Sequence, residues 1–71
     1  MKYLVVIEKG RRSWGAQVPD LPGCVAAGKP RGEVLKLIKS AIEFHIEGLR
    51  TARMKVPRPR SEAKVIEVTA A

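Results

Sequence analysis

The sequence predicts an α+β fold in the element order β-β-β-α-β, with a four-stranded sheet and one helix on one face. Two observations predict it: three short strand-like runs, the first rich in β-branched residues, are separated by Gly- and Pro-containing turns and precede one long amphipathic stretch, and a further β-branched run follows it. A length of 71 residues limits the chain to one domain, residues 1–71.

The first three predicted strands lie in the N-terminal half of the chain. Residues 2–8 are rich in β-branched side chains, and their apolar side chains point to both faces of the strand. Residues 13–18 form the second predicted strand and residues 24–27 the third. Because polar turns containing glycine separate such strands, we expect an antiparallel meander.

The helix is predicted from residue 33 to about residue 51, because apolar residues recur there at spacings of three and four. A stiff basic connector at residues 56–60 contains two prolines, which disfavour helix. Residues 63–69 form the predicted fourth strand. A right-handed crossover through the helix would lay this strand parallel to the first, which gives the sheet order 3-2-1-4.

The first strand also predicts an interaction surface. One helix covers one face of the sheet, yet residues 2–8 are apolar on both faces, so the second face needs cover from another chain. A short chain with one cysteine has no internal disulfide and buries little surface. We therefore expect a homo-oligomer, either a dimer or a tetramer. The candidate contact residues are Tyr3, Val5, Ile7, Trp14 and Leu21.

The stretch PDLPGC at residues 19–24 predicts a structural corner. Pro22 fixes φ at the second position of a type II turn, and Gly23 supplies a positive φ at the third. Pro19 ends the second strand, and Asp20 is expected to accept backbone N–H groups at the turn. Cys24 then starts the third strand as a small buried side chain.

Catalytic roles have little support in the sequence. A nucleophilic Cys24 needs a base, and the only histidine, His45, falls on the apolar stripe of the helix without an orienting motif. Of the acidic residues only Glu43 and Glu47 are dependable neighbours, one helical turn apart, whereas two-metal hydrolysis needs several. We expect no enzymatic activity, no metal and no other cofactor.

The net charge of +7, from 14 Lys and Arg against 7 Asp and Glu, favours acidic partners. Nucleic-acid binding is therefore the alternative function, and it would be weak, electrostatic and salt-dependent. Three aromatic residues offer few platforms for base stacking. The candidate contacts are Arg11, Arg12, Lys29, Arg31, Arg58 and Arg60.

The N-terminal apolar run is too short for a signal peptide or a membrane span. One unpaired cysteine also suits a reducing compartment. We expect a cytoplasmic protein without membrane contact.

Four stretches, in this order, resemble the HicB-like antitoxin family: YLVVIEKG from Tyr3, VPDLPGCVAAG from Val18, AIEFHIEGLR from Ala41 and VPRP from Val56. The resemblance extends to Val68. It implies a partial ribonuclease-H-like fold and dimers or higher oligomers. It also implies a non-catalytic antitoxin that binds a small HicA-type, mRNA-cleaving toxin. We expect a short form of the family, without a C-terminal DNA-binding module.

Inhibition by covering a toxin requires shape and a hydrophobic anchor rather than a reacting group. The best candidates for that anchor are Trp14, Tyr3 and Leu21, on the first two strands and at the corner.

Overall fold

The computed structural model describes residues 1–70, in which three strands precede one helix. The strands are β1 (Val6–Lys9), β2 (Trp14–Gln17) and β3 (Val25–Gly28), and the helix is α1 (Arg31–Thr51). The predicted α+β class is confirmed, although the strands differ at their ends from the predicted ones.

The strands form an antiparallel meander in the order β1-β2-β3. Two successive rows of paired residues cross the sheet, Val6–Gln17–Val25 and Ile7–Ala16–Ala26. Residues directly opposite one another point to the same face. The first row therefore belongs to one face of the sheet, and the second row belongs to the face that carries the core residue Ala16.

The prediction of a fourth strand at residues 63–69 is wrong, because residues 54–70 contain no helix or strand. The sheet therefore has three strands rather than four in the order 3-2-1-4, and a ribonuclease-H-like arrangement is not supported. The β-branched composition of this segment is a local preference, whereas a strand also needs a partner edge for its backbone hydrogen bonds. This segment has none within residues 1–70.

Helix α1 packs over β3 and β2 but not over β1. Val34 and Ile38 are buried on its inner face, four residues apart, and Ala41, Ile42 and Ile46 extend the same stripe. This spacing places all five on one side of an α-helix. Strand β1 is thus left at one side of the layered structure, beyond the cover of the helix.

The buried core is small, and the corner between β2 and β3 supplies much of it. Its members are Ala16, Val18, Leu21, Cys24, Val34 and Ile38. Leu21 has no exposed surface, and burial of a leucine side chain stabilises a fold by about 1.5–3 kcal/mol. The corner is therefore part of the core as well as a connection.

Helix α1 ends in a Schellman motif. The N–H of Arg53 donates to the carbonyl of Arg50 over 3.0 Å, and the N–H of Met54 donates to the carbonyl of Leu49 over 2.8 Å. Arg53 has a φ of 57°, the left-handed conformation that this motif requires. The helix therefore stops sharply, and the chain turns back towards the start of β1.

Candidate interaction surface

The corner between β2 and β3 consists of two successive turns. The N–H of Leu21 donates to the carbonyl of Val18 over 3.0 Å, and the N–H of Cys24 donates to the carbonyl of Leu21 over 3.0 Å. Gly23 has a φ of 85°, as the third position of a type II turn requires. A bond of 3.1 Å from the N–H of Val18 to the carbonyl of Cys24 closes the base of the corner.

Asp20 fastens the segment after the helix to this corner. Its Oδ2 accepts the backbone N–H groups of Arg60 and Ser61, each over 2.8 Å, and its Oδ1 accepts the Ser61 hydroxyl over 2.7 Å. The expected donors were those of the turn itself, but the observed donors lie 40 and 41 positions further along the chain. Such long-range pairing leaves no local signal in the sequence.

A second bond holds the same segment at the start of the sheet. The hydroxyl of Tyr3 donates to the carbonyl of Pro57 over 2.6 Å. We call residues 57–61 the strap, because they cross the end of the sheet from the residues before β1 to the corner after β2. Proline has no N–H to donate but keeps its carbonyl as an acceptor, and the carbonyl of Pro57 is used in this way.

The same hydrogen bonds alter the acidity of Asp20. The backbone N–H of Ser61, then that of Arg60, and then the Ser61 hydroxyl hold the pKa of the Asp20 carboxyl below its ordinary value of 3.8. All three donors favour the ionised form. The strap is therefore fastened by a carboxylate.

A cleft of about 530 Å³ lies between the corner and the strap. One side carries Pro19, Asp20 and Pro22, and the other side carries Pro57. The basic residues Lys55, Arg58 and Arg60 also line it. Two predicted nucleic-acid contacts, Arg58 and Arg60, thus come together with the corner.

The remaining predicted basic contacts lie at the opposite end of the sheet. The row Lys9–Trp14–Gly28 marks that end, because these residues pair across the three strands. Arg11 and Arg12 belong to the hairpin beside this row, and Lys29 and Arg31 follow directly after it. The six basic candidates are therefore divided between two ends and do not form one patch.

Four of the five residues predicted as partner contacts lie on the core-bearing face of the sheet, and the fifth, Leu21, lies in the corner. Ile7 pairs with the core residue Ala16, and Tyr3, Val5 and Trp14 are half-buried against the core. Leu21, with no exposed surface, offers nothing to a partner. The side chain of Lys9 also partly covers Trp14, since its Nζ lies 5.8 Å from the ring centroid, within range of a cation–π contact.

The opposite face of the sheet is exposed, and we call it the outer face. Its residues are Val6, Glu8, Gly15, Gln17, Val25 and Ala27. Val25 is 64% exposed, and a shallow depression of about 250 Å³ lies among Val6, Gly15 and Val25. Alternation along the strands separates the two faces in the sequence, but it does not show which face the helix covers.

The outer face differs from the rest of the molecule in charge. Glu8 is the only ionisable side chain among its six residues. Lys9 points to the other face, because it pairs with Trp14. In a protein of net charge +7, these six strand residues thus include no lysine or arginine.

The thiol is poorly suited to nucleophilic chemistry. Cys24 is 3% exposed, and burial raises the pKa of its thiol above the ordinary value of 9.0. Reactive cysteines show the opposite shift, because the thiolate is the nucleophile.

Residues 1–70 also contain no cluster of three or more His, Cys, Asp or Glu side chains that could hold a metal ion. In the same residues, α1 lacks the apolar length that a bilayer crossing demands.

The structure is thus a small α+β domain, a three-stranded antiparallel sheet packed on one helix, with Glu8 as the only ionisable side chain of its outer face. The chain belongs to the HicB-like antitoxin family of bacterial toxin–antitoxin systems, whose family model matches residues 3–70.

Curated relatives support this assignment. A UPF0150 protein of Thermoplasma acidophilum is 43% identical over 63 residues, which cover 87% of this chain and 91% of the relative. A UPF0150 protein of Helicobacter pylori is 48% identical over 44 residues, or 62% of this chain and 61% of the relative.

An uncharacterised 14.9 kDa protein from the rep-hol intergenic region of Haemophilus phage HP1 is 40% identical over 58 residues. That match covers 82% of this chain but 44% of the phage protein, so the chain spans less than half of that relative. No solved structure gives a significant match to the chain.

Proposed function

We propose that this chain is a non-catalytic antitoxin that binds a small HicA-type, mRNA-cleaving toxin through the outer face of its sheet. Membership of the HicB-like antitoxin family supports a toxin as the partner. The observation that carries the choice of surface is the exposed Val25, which lies with the half-buried Val6 around a shallow depression. An apolar, concave centre is where the binding energy of protein interfaces concentrates.

Charge supports the same surface. A protein that cleaves RNA needs a basic surface for the phosphate backbone, and such a surface is repelled by most of a molecule of net charge +7. The outer face avoids this repulsion, because Glu8 is its only ionisable residue. The overall basic charge is therefore compatible with a basic partner at this face.

The test is co-expression of the tagged chain with the small protein encoded beside it, followed by light scattering. A stoichiometric complex that survives ~0.5 M salt, where the screening length falls to a few ångströms, supports the proposal. The complex should also suppress RNA cleavage by the partner. Failure of the two proteins to co-purify at any salt concentration would overturn the antitoxin role.

Two variants then locate the contact. Val25→Asp places a charge on the outer face, at its most exposed apolar residue, and should abolish the complex. Phe44→Asp is the matched control, because Phe44 is a large apolar residue that is 81% exposed on α1. Loss of the complex in Phe44→Asp, with Val25→Asp unaffected, would move the contact to the helix.

Nucleic-acid binding is retained as a second candidate because Lys55, Arg58 and Arg60 converge on one cleft. Binding there would be electrostatic, so its affinity should fall steeply between low and high salt. Replacement of Arg58 and Arg60 by Gln should weaken RNA binding in a filter assay, while Arg11 and Arg12 replaced by Gln serve as the control at the opposite end. Salt-resistant binding to RNA would contradict this mode.

A further inference from the structure

The two walls of the cleft between the corner and the strap are held in place differently. The corner belongs to the core, because its residues Leu21 and Cys24 are buried. No residue of the strap is buried. The strap is held instead by hydrogen bonds, at one end from the Tyr3 hydroxyl to the carbonyl of Pro57 and at the other end to Asp20. The corner is therefore the fixed wall of the cleft, and the strap is the wall that can open locally.

The strap is stiff within itself. Its sequence is PRPRS, with prolines at residues 57 and 59. Proline fixes its own φ and restricts the residue before it to extended or polyproline conformations, so Val56 and Arg58 have few alternatives. A stiff segment of this kind moves as a unit, and the hydrogen bonds at its two ends decide where its side chains lie. We call the strap fastened when Arg60 and Ser61 donate to Asp20.

The charges that line the cleft suit an anion. The cations are Lys55, Arg58 and Arg60, and among the lining residues Asp20 is the only acid. The Asp20 oxygens already accept three N–H or O–H groups, so they are occupied by the strap. Guanidinium groups bind phosphate through two parallel hydrogen bonds, and three cations in one cleft suit a ligand with several anionic oxygens. Two of these cations belong to the strap, so their positions depend on whether it is fastened.

We propose that the cleft is a phosphate-binding site in which the fastened strap places Arg58 and Arg60 on the ligand, with Asp20 as the positioning residue. Phosphate binds the fastened form, so binding and fastening stabilise each other. The site rests on the nucleic-acid candidate described above, because RNA is one source of phosphate groups and free polyphosphates are another. The outer face takes no part, so the site is independent of toxin binding.

Charge alone and the fastened strap predict opposite effects of Asp20→Ala on phosphate affinity. If only the charge of the cleft mattered, this variant would bind phosphate more tightly, because it removes the one acid from the lining. If the strap must be fastened, affinity should fall by about 10-fold, because three donors lose their acceptor and the binding form becomes a minority. Glu8→Gln removes the same charge from the outer face and should not weaken binding.

Tyr3→Phe tests the other end of the strap without a change of charge. The Tyr3 hydroxyl holds Pro57 but does not line the cleft, so its loss should weaken binding by about 2- to 5-fold. Affinity is measured with inorganic pyrophosphate and with a short single-stranded RNA, at constant ionic strength, and circular dichroism checks that each variant is folded. Pyrophosphate should displace the RNA, and failure to do so would overturn a phosphate site. Binding of pyrophosphate without RNA would support the site and overturn the nucleic-acid candidate.

Amide hydrogen exchange measures the fastening directly. The amides of Arg60 and Ser61 donate to Asp20 and exchange when the strap opens. Because the ligand binds only the fastened form, pyrophosphate at about ten times its Kd should slow their exchange by about 10-fold. Unchanged exchange at a saturating concentration would overturn the coupling between strap and ligand.

Two double variants of equal charge locate the ligand. Arg58→Gln with Arg60→Gln should abolish both pyrophosphate binding and the protection of the strap amides. Arg11→Gln with Arg12→Gln, at the opposite end of the sheet, should retain both. Equal losses in the two double variants would overturn the site, because binding would then follow net charge alone. Tighter binding in Asp20→Ala would overturn the positioning role.

Discussion

Asp20 and Ser61 are joined by two hydrogen bonds across 41 positions of sequence, one to the backbone N–H and one to the hydroxyl of the serine. This pair fixes where the chain goes after the helix. It joins the corner, which with Val18 supplies three of the six buried core residues, to the end of the strap.

Removal of the Asp20 carboxylate should release the strap. In Asp20→Ala all three donors lose their acceptor, whereas Ser61→Ala loses only the hydroxyl bond. The amides of Arg60 and Ser61 should therefore exchange fastest in Asp20→Ala and at an intermediate rate in Ser61→Ala. Equal exchange rates in the parent and both variants would show that the carboxylate does not hold the strap.

Acidification should release the strap in the parent protein. The pKa of Asp20 is lower in the folded state than the ordinary value of 3.8, so its stabilising effect is complete above that value. The effect is lost as the pH falls through the lower, folded-state pKa. The amide shifts of Arg60 and Ser61, followed by NMR, should titrate there. Asp20→Asn is the control, and the same titration in that variant would contradict the assignment.

One substitution should change stability in opposite directions at two glycines. A Cβ meets no atom within 4 Å at either Gly23 or Gly48, so only backbone conformation differs. Gly23→Ala should destabilise the fold by about 1–2 kcal/mol, because Gly23 has a φ of 85°. Gly48→Ala, within α1, should stabilise it by about 0.5–1 kcal/mol. Urea unfolding measures both changes in the free energy of unfolding. Changes of the same sign would exclude this explanation.

Cys24 should resist alkylation in the folded protein. The thiol is buried and its pKa is raised, so reaction requires a local opening that should slow it by at least about 100-fold relative to the unfolded chain. Ser40→Cys in a Cys24→Ala background provides an exposed thiol on α1 for comparison. Similar rates for the two thiols under native conditions would argue that the corner opens readily.

Local patterns in the sequence were sufficient for the helix, the meander and the turn at Gly23. The four-residue spacing of Val34 and Ile38 depends on residues within one helix, and the positive φ of Gly23 depends on one turn. Strand prediction failed at residues 63–69 because β-branched composition does not specify a pairing edge.

The candidate site was harder to predict for two physical reasons. Alternation assigned Val6 and Ile7 to opposite faces correctly, but the face that a helix covers depends on the packing of the whole chain. The donors to Asp20 lie 40 and 41 positions away in the sequence. Local rules instead assign an aspartate beside a turn to the N–H groups of that turn.

The six residues of the outer face include no lysine or arginine, so the electrostatic potential is less positive there than at the ends of the sheet. The attraction of a polyanion such as RNA should therefore be strongest at the two basic ends of the sheet and weakest over Glu8. Adsorption to a polyanion would therefore leave the Val25 side facing solvent. Contacts with a polyanion and contacts with a protein would thus use different parts of the surface and would not compete.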